Sequence, residues 1–207
     1  MYNYNFFDYE NAQEFVKVSG REYADQMAEV LRLALIRDAS LYEWMILNFN
    51  EIMDKEIDAI EYIFDKISFI RQFFVAKDPN GIKERYFLDF GEIYSKALHR
   101  FFEGKYSEAE CDGLGMIASA YISYKREMLS KEEFYELRDM FVPFGLSISL
   151  DSFDTDAVME LIKTDADYDT AMNNFVLLKK IGKAVIASNV TETELEMGLK
   201  KLIVEWD

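Results

Sequence analysis

Apolar residues along this chain recur mostly at three- and four-residue steps, the period of one helix face. Met27, Val30, Leu31, Ala34 and Leu35 form one such face, on a helix that starts near Ser19 or Gly20. A second helix is predicted over 40–48. Ile57, Ile60, Ile63, Phe64, Ile67, Ile70, Phe73 and Phe74 make the longest stripe, which stops at the breaker cluster Asp78-Pro79-Asn80-Gly81. The same periodicity predicts helices over 87–102, 108–128, 131–141, 155–163 and 192–205. Ser130 and Glu133 have the spacing of a capping box, in which side chain and backbone satisfy each other at a helix start. Residues 174–178 and 183–187 flank Ile181-Gly182 and read as a hairpin. The expected fold is an all-α bundle of about seven or eight helices with one small β-hairpin. No repeat, low-complexity tract or interdomain linker interrupts it. Residues 19–207 are therefore read as one domain, preceded by an N-terminal interface segment over 1–18.

Composition narrows the partners. Half of the 207 residues are hydrophobic, enough for one sizeable core. A net charge of −16 repels phosphate backbones and anionic bilayers, so nucleic acid and membrane are not expected partners. Proteins and cations fit that charge better. The single cysteine, Cys111, cannot form an internal disulfide, which agrees with a reducing compartment. The first ten residues lack the basic start and apolar run of a secretory signal, and no stretch has the apolar length of a membrane span. A cytoplasmic protein is expected.

Four stretches carry a family likeness. They are Met27-Ala28-Glu29-Val30-Leu31-Arg32, Leu88-Asp89-Phe90-Gly91-Glu92, Glu108-Ala109-Glu110-Cys111-Asp112-Gly113-Leu114-Gly115-Met116 and Phe175-Val176-Leu177-Leu178-Lys179-Lys180-Ile181-Gly182-Lys183-Ala184. Their order, with the Arg37-Asp38-Ala39 turn between the first two, resembles the C-terminal helical domain of 3-dehydroquinate synthase from about Asp8 to Leu202. Members of that family bind NAD on a separate glycine-rich nucleotide fold; no Gly-x-Gly-x-x-Gly segment after a strand occurs here, so NAD is not expected.

The resemblance also places a site. A family glutamate and two histidines that bind zinc fall on Glu29, Glu92 and Glu108, and a further histidine falls on Lys96. Lysines around the family's substrate fall on Arg32 and Arg71, Arg85 is retained, and Ala166-Asp167 replaces a Lys-Lys pair. With His99 the only histidine, a two-histidine zinc site within one subunit is impossible. Three glutamates offer an all-oxygen set that suits magnesium, manganese or calcium, so a divalent metal is one reading. The other is that Lys96, one turn after Glu92, and Arg32, three residues after Glu29, neutralise the carboxylates from within. The second is preferred, because charged side chains on helices are mostly solvated or paired. His99 lacks an identifiable acid or nucleophile partner, and the acidic neighbours of Cys111 would raise its thiol pKa.

Three functions follow from these residues. The first is a non-catalytic relative of 3-dehydroquinate synthase, a binding or regulatory subunit covered by a second copy or a protein partner. The aromatic N-terminus, Tyr2, Tyr4, Phe6, Phe7 and Tyr9, belongs to the expected interface. The second is a divergent metal-dependent enzyme using Glu29, Glu92 and Glu108 with Arg71 and Arg85. The third is one half of a split synthase of the shikimate pathway. Any surviving activity would, by the resemblance, be that of a carbon–oxygen lyase.

Overall fold

The computed structural model describes residue 9 and residues 11–204. Tyr2, Tyr4, Phe6 and Phe7 lie outside the described residues, and the helix predicted over 192–205 ends earlier, at Lys201, after which Ile203 bridges to Leu150. The chain is mostly helical with one two-stranded antiparallel sheet. Its helices are α1 (Ala12–Phe15), α2 (Gly20–Arg37), α3 (Ala39–Leu47), α4 (Phe49–Met53), α5 (Ile57–Lys77), α6 (Glu92–Phe101), α7 (Glu108–Lys125), α8 (Lys131–Asp139), α9 (Thr155–Lys163), α10 (Tyr168–Asn173) and α11 (Glu192–Lys201). Strands β1 (Phe175–Lys180) and β2 (Lys183–Ala187) form the hairpin between α10 and α11. Among the described residues no helix is long and apolar enough to cross a membrane.

The centre is α7. Its Gly, Ala and Ser positions let other helices approach closely, and it is buried around nearly its whole circumference from Cys111 to Ser123. It packs against α2, α6, α8, α11 and β1. Ser107 starts it with a full capping box to Glu110, and the Ser130–Glu133 box starts α8 as the spacing predicts. On α2, Met27, Val30, Leu31, Ala34 and Leu35 are all buried. Strand β1 is buried at four successive positions, Phe175 to Leu178, because α7 lies along it, and the Leu178 N–H donates to the buried Ser123 hydroxyl at 3.0 Å. At the hairpin tip the Gly182 N–H donates to the Leu35 carbonyl at 2.8 Å. A Cβ on Gly182 would overlap the backbone of Ala39, so only glycine admits this contact.

Several expectations need correction. The helix predicted over 87–102 is two elements, a 3-10 turn Glu84–Asp89 and then α6. Phe90 is extended and Gly91 left-handed at φ +88°, which breaks the ladder between them. The predicted end at 128 comes earlier, at Lys125, where Glu127 turns left-handed at φ +59°. The short helices α1, α4 and α10 were not expected, since four to six residues are too few for a periodic signal. In α1, Phe15 is wholly buried and stacks on Tyr23 at 5.3 Å, tying residues 12–15 into the core.

Candidate functional site

Two adjoining ionic clusters occupy the positions singled out in the sequence. In the first, Arg32 on α2 donates through Nη1 to Glu29 Oε2 at 2.8 Å and through Nη2 to Asp112 Oδ2 at 2.6 Å. The other Asp112 oxygen accepts from the Ser95 hydroxyl on α6, so one guanidinium ties three helices together. These side chains are mostly out of solvent; Arg32 is 16% exposed, Glu29 22% and Asp112 30%. Burial alone would lower the Arg32 pKa, but the charges of Glu29, Asp112 and Glu92 and the hydrogen bond to Asp112 raise it above the ordinary arginine value. Burial raises the Glu29 pKa, opposed by the Arg32 charge and reinforced by Asp112.

The second cluster begins one helical turn away. Lys96 Nζ lies 2.7 Å from Glu92 Oε1 and 3.8 Å from Asp167 Oδ2. Burial and the hydrogen bond and charge of Glu92 push Asp89 up to about 7, against the pull of Arg85 and Lys96. Burial also acts to raise Glu92, but the hydrogen bonds from Lys96 and Asp89 and the charges of Lys96 and Arg32 outweigh it and hold its pKa low. The two carboxyls therefore titrate as a pair.

This second cluster opens into a cleft of about 200 Å³. Arg85, Asp89, Glu92 and Lys96 line it together with Asp165, Asp167 and Tyr168. Ile162, Phe175 and Val176 form an apolar part of the wall. Ser119 of α7 also lines it, wholly buried, its hydroxyl without a hydrogen-bond partner.

The remaining sequence candidates fall elsewhere. Arg71 is exposed on α5 beside Ser68, Gln72 and Val75 and does not line the cleft. Glu108 is exposed in the first turn of α7. Arg85 lines the cleft, its guanidinium carbon 5.0 Å from the Tyr86 ring centre. His99 is half-buried in the last turn of α6. Cys111 is wholly buried, and burial first, then Asp112, Glu110 and Glu108, push its thiol to about 12. Asp112, Ser95, Asp89, Asp165 and Ser119 were not singled out from the sequence. Asp112 lies within an acidic run that carries no signal of its own, and its pairing with Arg32, 80 residues away, becomes visible only when α2 meets α7.

The arrangement does not fit a resident zinc. Two of the three positions that the resemblance gives to the metal, Glu29 and Glu92, already bond to cations of the chain, Arg32 and Lys96. Among the described residues no group of three or more His, Cys, Asp or Glu side chains is placed to hold a metal ion.

Comparison with known proteins agrees with the fold. A 3-dehydroquinate synthase from Dictyoglomus turgidum is 25% identical over 190 residues, covering 89% of this chain and 52% of the relative. One from Thermoanaerobacter pseudethanolicus is 28% identical over 182 residues, covering 87% and 51%. The chain thus spans about half the length of the curated relatives it matches. A solved 2-epi-5-epi-valiolone synthase from Streptomyces hygroscopicus, with NAD+ and Zn2+ bound, superposes with a TM-score of 0.78 at 18% identity, over 92% of this chain and 54% of that one. A 2-deoxy-scyllo-inosose synthase complexed with carbaglucose-6-phosphate, NAD+ and Co2+ gives 0.71 at 14% identity, over 93% and 55%. At these identities the two structures speak for the fold. The model of the 3-dehydroquinate synthase C-terminal domain matches residues 26–167, more than half of the sequence, and the chain belongs to that family.

Proposed function

We propose that this chain is a non-catalytic member of the family that acts as a binding or regulatory subunit. One observation carries the reading: the Arg32 guanidinium is seated between Glu29 and Asp112, with Lys96 on Glu92 beside it. A metal catalyst needs carboxylates free to coordinate and an open position for substrate. Here the chain's own cations take up the carboxylates at two of the three inherited positions, Glu29 and Glu92. Arg for Lys at position 32 replaces a compact, titratable ammonium with a group that stays charged, so it can hold an anion but not move a proton. Asp167, where the family resemblance places a lysine, turns that side of the cleft acidic.

A subunit of this kind is expected to work in association, as a homodimer or with a protein partner. Leu47 at 81% exposure and Phe69 at 68% are exposed apolar side chains that such a contact could cover. Purified protein assayed with NAD and the family's substrate, after metal analysis by mass spectrometry, tests the central reading. No stoichiometric zinc and no dehydroquinate are expected. One tightly held divalent ion with turnover would move the metal-dependent enzyme ahead. Turnover that appears only with an added nucleotide-binding polypeptide would favour the split synthase. Light scattering and pull-downs test association; a monomer that captures nothing would end that part.

A further inference from the structure

We infer that the cleft beside α6 binds a small, hydroxyl-bearing ammonium compound. This rests on the proposed binding role and adds to it the charge class of the ligand. Four carboxylates, Asp89, Glu92, Asp165 and Asp167, line the cleft against two cations, Arg85 and Lys96. Lys96 is already bonded to Glu92 at 2.7 Å, and Arg100 sits 3.6 Å from Asp165. An anion entering here would have to displace existing pairs. A cation instead meets an excess of carboxyl groups over cations in the lining. The size agrees with a small molecule, since about 200 Å³ holds the volume of roughly seven waters.

Ser119 points independently to a ligand. Its hydroxyl is buried and unpartnered in the cleft wall, a state that costs free energy unless something completes the hydrogen bond. Its neighbour Ser123, by contrast, is fully used, donating to the Ser119 carbonyl at 3.1 Å and accepting from Leu178. A ligand hydroxyl can fill the Ser119 vacancy while its carbon skeleton meets Ile162, Phe175 and Val176. The ammonium then faces Asp89 and Glu92 at the polar side.

The test compares three probes of equal shape by isothermal titration calorimetry on the full chain: trans-4-aminocyclohexanol, cyclohexane-1,4-diol and 4-hydroxycyclohexanecarboxylate. The ammonium compound is expected to bind about ten-fold or more tighter than the diol, and the carboxylate more weakly than the diol. Asp89→Asn should remove most of the ammonium preference. Ser119→Ala should weaken ammonium and diol alike without destabilising the free protein, because it deletes a hydroxyl that has no partner there. That variant tests the hydroxyl contact independently of Asp89→Asn. Equal affinities, a preference for the carboxylate, or no heat with any probe at millimolar concentration overturns it. Dehydroquinate formation would instead overturn the non-catalytic reading and is read in a separate assay.

Discussion

The carbonyl oxygen of Gly91 lies where a Cβ on Gly115 would have to be. The contact is reciprocal, since a Cβ on Gly91 would overlap the backbone of Gly115 and Met116. It brings the first turn of α6 against the middle of α7, and the Gly91 carbonyl still accepts from Ser95 N–H at 3.1 Å. Ser95 and Asp112 can then meet across the two helices. Both ionic clusters hang on this approach.

Gly115→Ala is therefore expected to destabilise the protein by about 2–3 kcal/mol, because backbone rather than a flexible side chain must give way. Gly113→Ala is the comparison. There the added methyl meets the Phe141 ring at 3.2 Å, and a helical alanine is favoured over glycine, so its cost should stay within about 1 kcal/mol. Urea melts of both variants check the ranking; equal losses would mean that the Gly91–Gly115 approach is not a tight constraint.

What the sequence showed of this architecture depended on range. Periodicity located α2, α5, α7 and α9 because each has enough turns to display a buried face. The hairpin was visible as two short apolar runs on either side of the Ile181-Gly182 turn. The break at Phe90-Gly91 was not, because it is imposed by contact with α7 rather than by local preference. In the site, the Arg32–Glu29 and Lys96–Glu92 pairs were legible as helical neighbours. Asp112 as the second partner of Arg32, and Ser119 in the cleft, required the packing of α7.

Removing Arg32 isolates the role of its charge. Arg32→Ala leaves Glu29 and Asp112 facing each other without their cation, which should cost about 3–5 kcal/mol. Lys96→Ala should cost no more than about 1 kcal/mol, since that pair is 47% and 39% exposed. In both variants added magnesium or manganese is expected to raise the melting temperature, because an ion that binds only the folded state stabilises it. Wild-type protein should respond less. Equal responses in wild type and Lys96→Ala would show that Lys96 does not occupy the carboxylates.

Asp89 sets the behaviour on the alkaline side. Its folded pKa lies above the unfolded value, so its contribution is fully present below about 4 and is lost as pH rises toward about 7. Above that range two ionised carboxyls meet in the cleft. Asp89→Asn keeps a donor for Glu92 without the charge, so it should raise the melting temperature at pH 8 and leave it nearly unchanged at pH 4. A shift of the same size at both pH values would mean that ionisation of Asp89 is not involved.

Glu194 sets the opposite limit. Arg126 donates through Nε and Nη2 to its two oxygens at 2.6 and 2.8 Å, and Thr191 adds backbone and hydroxyl donors in the capping box of α11. The Arg126 hydrogen bond is the main force that holds Glu194 down to about 2. A depressed carboxylate contributes stability that is complete above its unfolded value of 4.5 and drains away as pH falls toward 2. Glu194→Gln can still cap Thr191 but loses the ion pair, so it should cost about 1–2 kcal/mol at pH 6. Near pH 2, where Glu194 in the wild type takes up its proton, that difference should close. Denaturant titrations of wild type and variant from pH 6 downward, at a temperature where both are folded, measure it; a gap that persists unchanged to pH 2 would assign the loss to packing rather than to charge.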